Sequence, residues 1–208
     1  MRNVIFTIGH STHSPEHLVL LLKRHGITAV SDVRSQPYSR INPQFNREAL
    51  KSLLISAGIS YVFLGRELGA RSDDPSCYEN GRVQYARLAK TELFQIGISR
   101  VIAGSQKHRI ALMCAEKEPL DCHRTILVSR SLVAADTEVR HIHADGHTES
   151  QDEVLDRLMW QLGIRERDMF LSESDLQTKA YEVQEERIAY RPISEEKALD
   201  PLIKSIAI

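Results

Sequence analysis

The chain carries almost no net charge, few cysteines and no long hydrophobic run, and each shortage closes a class of function. Lys and Arg total 27 against 28 for Asp and Glu, a formal net charge of −1. No global field therefore draws the protein to nucleic acid or to an anionic membrane, although a local basic patch is compatible with that balance. Three cysteines, Cys77, Cys114 and Cys122, are too few and odd in number for a disulfide framework, which predicts reduced thiols in the cytosol. No apolar run approaches the ~20 residues of a membrane helix, so no membrane partner is expected. Met1 to Phe6 lack the apolar region and cleavage site of a signal peptide, which adds to a cytoplasmic expectation. A P-loop and a Gly-x-Gly-x-x-Gly are missing too. Gly9 is the only glycine in the first βα turn, which argues against a Rossmann dinucleotide enzyme. Internal repeats and low-complexity tracts are absent.

What remains is an ordinary globular composition, with 42% hydrophobic and 26% charged residues over 208 positions, enough for one domain with a core plus an appendage. Short β-rich runs alternate with amphipathic helices. Strands are predicted at Val4 to Ile8, Thr28 to Val33, Ile59 to Leu64, Arg109 to Met113 and Glu138 to His143. The first helix is capped by Ser14, has Pro15 in its first turn, and stops at Gly26. A second opens at Asn46 and ends at Gly58. Gly65 to Gly81 reads as a long polar loop of the kind that is functional or mobile. Val83 to Ala103 reads as helical with a break near Gly97, and Cys122 to Ala135 as the next helix. Beyond Gly146 the pattern changes: Ser150 and Glu153 form a capping box for a helix stopped by Gly163. A charged helix, roughly Glu173 to Tyr190, and a proline-punctuated tail follow. The expected architecture is α/β: a mostly parallel five-stranded sheet with helices on both faces, a Rossmann-like three-layer sandwich over residues 1–147, and a helical C-terminal extension over 148–208. The first strand is expected centrally, between the second and fourth.

Ligands on such sheets bind beyond the carboxyl ends of the strands. There the sequence places Gly9, His10 and Ser11; Asp32, Arg34, Ser39 and Arg40; Gly65 to Arg71; Cys114, Glu116, Cys122, His123 and Arg124; and His141, His143, Asp145 and Gly146. Thr7-Ile8-Gly9-His10-Ser11, Asp32-Val33-Arg34 with Pro37, Ser39 and Arg40, Leu64-Gly65 with Leu68-Gly69, Cys114-Ala115-Glu116 with Cys122-His123-Arg124, and His141-Ile142 with Asp145-Gly146 together resemble the bacterial domain of unknown function family 488. The resemblance covers roughly Val4 to His147. Ala70 departs from it, where a second glycine is expected. The family name implies no reaction.

In the Cys114 to Arg124 segment, Asp121 is the expected N-cap, with Cys122, His123 and Arg124 in the first helical turn. Free N–H groups there favour anions and lower a thiol pKa. Cys122 is thus expected to be accessible and partly thiolate, Cys114 a small buried hydrophobe, and Cys77 a dispensable loop residue. The leading functional reading is an enzyme acting on a phosphate-bearing substrate, a nucleotide or a nucleic-acid end. Glu116, Asp32, His10 and Cys122 would be its catalytic groups; Gly9, Ser11, Arg34, Ser39, Arg40, His123, Arg124 and His143 would hold the anion, with Arg34, Arg40 and Arg124 as a clamp. Plainer readings stand beside these, among them an Asp32–Arg34 structural pair. The alternatives are cysteine-dependent sulfur transfer or redox chemistry and a binding module without turnover. A metal site at Cys114, Cys122, His123 or His143 ranks last, because the spacing matches no common zinc pattern. No metal is assigned, the cofactor is unknown, and partners are limited to a small anionic ligand or nucleic acid.

Overall fold

A computed structural model describes residues 4–164 and 171–192; the tail beyond Pro192 lies outside the described residues. Strands β1 (Val4–Gly9), β2 (Ala29–Asp32), β3 (Ser60–Phe63), β6 (Ile110–Cys114), β7 (Glu138–Ile142) and β8 (Thr148–Ser150) form one sheet in the order β3-β2-β6-β1-β7-β8. All pairings are parallel except β7 with β8. The sheet is thus α/β as expected but has a sixth strand, since the chain beyond His147 turns back to pair with β7 before its helices begin. A small antiparallel hairpin, β4 (Tyr78–Glu79) and β5 (Arg82–Val83), stands apart.

The strand order corrects the sequence expectation. β6, not β1, is paired with β2, and β1 lies between β6 and β7. Helices α1 (Pro15–Arg24) and α2 (Arg47–Ser56) cover one face, where Leu18, Leu22, Leu50 and Leu54 pack against Phe6, Ile8, Val30 and Met113. The other face buries Ile5, Leu112 and Val139 under α3 (Gly65–Leu68), α5 (Glu92–Ser105), α6 (Arg130–Ala134), α7 (Gln151–Leu162) and α8 (Glu173–Ile188). The chain therefore leaves β1 and β2 toward one face and β6 toward the other, and a crevice opens beyond the carboxyl end of β6.

The local caps and stops stand where the sequence places them. Ser14 accepts from His17 N, Gly26 sits at φ 64, and Ser150 and Glu153 make a reciprocal capping box. Three details differ. The Gly65–Gly81 stretch is not loop throughout: it holds α3, a 3₁₀ turn at Pro75–Cys77 and β4, and Cys77 is buried rather than peripheral. The helical stretch after it breaks between α4 (Tyr85–Leu88) and α5, where Thr91 caps Phe94 N, and not at Gly97. Gly97 stays helical because it is a packing seat: a Cβ there would lie 2.7 Å from Leu68 Cδ2. Finally, the helix predicted from Cys122 is a π-helical segment, Arg124–Ser129, running into α6.

One buried polar chain stitches the layers. Thr7 Oγ1 donates to His141 Nδ1 (2.8 Å), His141 Nε2 donates to Gln151 Oε1 (2.8 Å), and Gln151 Nε2 donates to the Tyr181 hydroxyl (2.9 Å). Burial first, then the Arg124 charge, lowers the His141 pKa to about 3. Burial likewise lowers His10 to about 4. As pH falls below the unfolded imidazole value of ~6.5, the unfolded chain binds protons that these two sites refuse, so stability falls as pH drops toward those folded values. Denaturant titrations from neutral pH to about pH 5 should show stability declining, with a slope that steepens below ~6.5 toward a limit of roughly 1.4 kcal/mol per pH unit for each such histidine, and a shallower slope in His141→Gln. A flat profile across that range would contradict the neutral, buried assignment.

Candidate active site at the carboxyl edge of the sheet

β1 and β6 continue their pairing past their ends. His10 N donates to the Cys114 carbonyl and Ser11 N to the Ala115 carbonyl, both at 2.9 Å. The β6 loop can lie this close only because residue 9 has no side chain: a Cβ on Gly9 would stand 1.8 Å from the Glu116 carbonyl oxygen. Gly9 and Ser11 are therefore occupied in seating the β6 loop. That loop is held from its other side by Arg124, whose Nη1 donates to the Glu116 carbonyl (2.8 Å) and Nη2 to that of Lys117 (3.4 Å). Arg124 is wholly buried, its Nε has no hydrogen-bond partner, and among the described residues no carboxylate lies within ion-pair distance of it.

The loop returns through a 3₁₀ turn, Pro119–Asp121, which brings Cys122 and His123 back against Cys114. Cys122, with extended backbone, occupies the position expected of Asp121; its sulfur accepts from Arg124 N at 3.5 Å. The two sulfurs and His123 Nδ1 all lie within 4.8 Å of one another, with Nδ1 3.7 Å from Cys114 Sγ and 3.9 Å from Cys122 Sγ. His123 Nε2 donates to the Val33 carbonyl at 3.1 Å, which fixes Nδ1 as the atom facing the sulfurs. Glu116 Oε2 sits 2.9 Å from Cys122 Sγ.

These groups share protons unequally. Burial alone would raise the Cys122 pKa, but the hydrogen bond with Cys114, the Arg124 guanidinium and His123 outweigh it and hold Cys122 well below the ordinary thiol range. Cys114, buried and beside that charge, is pushed well above it. Burial and the Cys122 charge also push the Glu116 carboxyl up. For His123, burial lowers the pKa, but the Cys122 interactions prevail and raise it.

Asp32 and Arg34 form a bidentate pair, with Nε to Oδ1 at 2.9 Å and Nη2 to Oδ2 at 2.7 Å, and the Tyr61 hydroxyl donates to Oδ2 at 2.9 Å. Arg34 also donates to the Phe45 carbonyl and, through Nη1, to His10 Nε2. Four of its five N–H groups are thus engaged. A cleft of about 220 Å³ opens above this floor, lined by Arg34, Gln36, Arg71, Tyr85, Cys114, Glu116, His123 and Tyr190 among others. Arg71 donates to Gln36 Oε1 and stacks on Tyr190.

Of the residues singled out in the sequence, Glu116, His123 and Arg34 line the cleft, while Asp32, His10, Cys122 and Arg124 stand behind it. Ser39 caps the turn at Ile41 and Asn42, Arg40 is exposed on the same loop, and His143 pairs with Glu149; none of these three lines the cleft. The three guanidinium groups therefore do not meet in one clamp. Cys122 is buried, not accessible; Cys114 is buried as expected and also forms part of the cleft wall. Tyr190 arrives from the end of α8, a position for which the sequence offers no signal. Arg71 was visible as a cation after the third strand.

Two results follow from this geometry. Gly9→Ala should cost about 1–3 kcal/mol or more as the β6 loop is displaced, read as a lowered melting temperature; a variant as stable as wild type would disprove the tight seat. In reduced, chelator-treated protein, iodoacetamide at neutral pH should label all three cysteines slowly, since all are buried and Cys114, at the cleft wall, is held protonated. Fast labelling of Cys114 or Cys122 would show access and ionisation in one sulfur.

A family model described as Domain of unknown function DUF488 matches residues 14–131, more than half of the chain. No curated protein and no solved structure matches.

Proposed function

The chain belongs to the DUF488 family, and from that premise, which states no reaction, we propose that it is an enzyme acting on a small phosphate-bearing substrate held in the cleft above β6. The observation that carries this reading is convergence: a carboxyl, an imidazole and a thiol (Glu116, His123, Cys114) share one polar cleft with Arg71 and the remaining N–H of Arg34. Arg71 supplies the anion contact. Among the described residues it has no carboxylate partner, and its stacking on Tyr190 fixes the guanidinium plane, the arrangement that suits bidentate recognition of phosphate. Glu116, beside the cluster and open to the cleft, is the proton-transferring group. At about 220 Å³ the cleft is smaller than pockets for drug-sized ligands, so it admits a small molecule or the end of a larger one.

Cysteine-dependent sulfur transfer or redox chemistry is the second reading, favoured by the two sulfurs lying within 4.8 Å. It ranks lower because a nucleophilic sulfur needs access and ionisation together, and Cys122, the sulfur held below the thiol range, is buried.

Mononucleotides, pyrophosphate and sulfate should be screened by thermal shift against wild type and Arg71→Ala. A binding anion at ten times its Kd stabilises by about 1.4 kcal/mol, and that gain should vanish in Arg71→Ala. If no anion shifts the wild type, or the shift survives the substitution, the cleft is not an anion site and the reading fails.

A further inference from the structure

We propose that Cys114, Cys122 and His123 bind one thiophilic divalent metal ion, Zn²⁺, with the fourth coordination position open to the cleft. This deepens the proposed function, resting on the same cleft floor, by naming the cofactor. Zinc held at about 2.3 Å from sulfur and about 2.0 Å from nitrogen in a tetrahedron places its sulfur and nitrogen ligands about 3.5 Å apart. The observed separations from His123 Nδ1 are 3.7 Å to Cys114 Sγ and 3.9 Å to Cys122 Sγ. Each sulfur thus stands near the spacing from the nitrogen that the ion requires, the two sulfurs lie within 4.8 Å of each other, and a contraction of the three would complete the site.

The supporting contacts are those of a metal site. A ligating histidine needs its second nitrogen fixed by a hydrogen bond, commonly to a carbonyl, so that the first presents a lone pair. His123 Nε2 has that bond to the Val33 carbonyl, and Nδ1 is left facing the sulfurs. Cys114 is held by the His10 N–H on its carbonyl, and Cys122 by its own N–H to the Pro119 carbonyl at 3.2 Å. Two sulfurs and one imidazole form a donor set that selects zinc over hard cations such as Mg²⁺ or Ca²⁺. Binding requires both sulfurs as thiolates, and their two negative charges balance the charge of the ion. That matters beside Arg124, whose buried cation would oppose any net gain of positive charge.

Three protein ligands with an open position is the catalytic rather than the structural pattern. Cys114 and His123 line the cleft and Cys122 does not, which puts the open position on the cleft side. Glu116 reaches both sulfurs, with Oε2 2.9 Å from Cys122 Sγ, and is placed as a proton acceptor beside the ion. The sequence hid this site because Cys114 and Cys122 are separated by a 3₁₀ turn instead of the short knuckle of common zinc motifs.

The full-length chain, reduced, stripped with chelator and dialysed against Zn²⁺, should retain about one zinc per chain by elemental analysis. Loaded with Co²⁺, the wild type should show thiolate-to-cobalt charge-transfer bands and the intense visible bands of tetrahedral cobalt. Cys114→Ser, Cys122→Ser and His123→Ala should each lose stoichiometric binding, whereas Glu116→Gln and Cys77→Ser should keep it. A wild-type cobalt spectrum without thiolate charge transfer overturns the site, whatever the variants do. So does full zinc retention in the Cys114→Ser/Cys122→Ser double variant. An anion-induced thermal shift without metal binding would sink the metal alone; stoichiometric zinc without any anion response would sink the phosphate reading alone.

Discussion

Burying a guanidinium without a carboxylate partner is costly unless its N–H groups find acceptors and its charge finds a counterweight. Arg124 meets the first demand by taking the carbonyls of Glu116 and Lys117, and that bends the β6 loop back over the end of β1. It meets the second with sulfur, the lowered pKa of Cys122 being the other half of the same balance. The shape of the loop, the seat against Gly9 and the ionisation of the cluster are thus one arrangement. An apolar residue in place of Arg124 would release all three together.

The strand order sets what this arrangement faces. With β6 flanked by β1 and β2, both of which send their chains to the opposite face, the β6 loop has open space above it and rigid strands at either side. Val33 at the end of β2 orients His123, and His10 at the end of β1 holds the Cys114 carbonyl. Groups on three adjacent strands therefore position one another without relying on a mobile lid.

Much of this was legible in the sequence. The alternation of strands and helices, the caps at Ser14 and Ser150, and the polar residues at strand ends follow from local rules that act over a few positions. The plainer reading of Asp32 with Arg34 was also correct as geometry. Strand order was not legible, because whether β1 or β6 lies next to β2 is decided by packing across the sheet, and the hydrophobic pattern is the same for both. The error propagated: with β1 placed between β2 and β6, Arg34 and Arg124 seemed to flank an anion, whereas one is engaged by Asp32 and the other enclosed. Cys114 is buried as expected, but its partners were not legible for a related reason. A cysteine at the end of a buried strand looks like packing until the return of the chain at Cys122 and His123 brings partners to it.

The family match begins at residue 14 and ends at 131, and the fold shows what those boundaries omit. β1 is not an end strand but lies between β6 and β7. A fragment trimmed to the matched segment would leave β6, apolar and buried along its whole length, as a bare edge with unpaired N–H and C=O groups, the form of exposed strand that recruits other chains. It would also lose α8, whose Gln184 donates to the Leu120 carbonyl and whose end carries Tyr190 to the cleft. The matched segment is therefore smaller than the unit that buries β6.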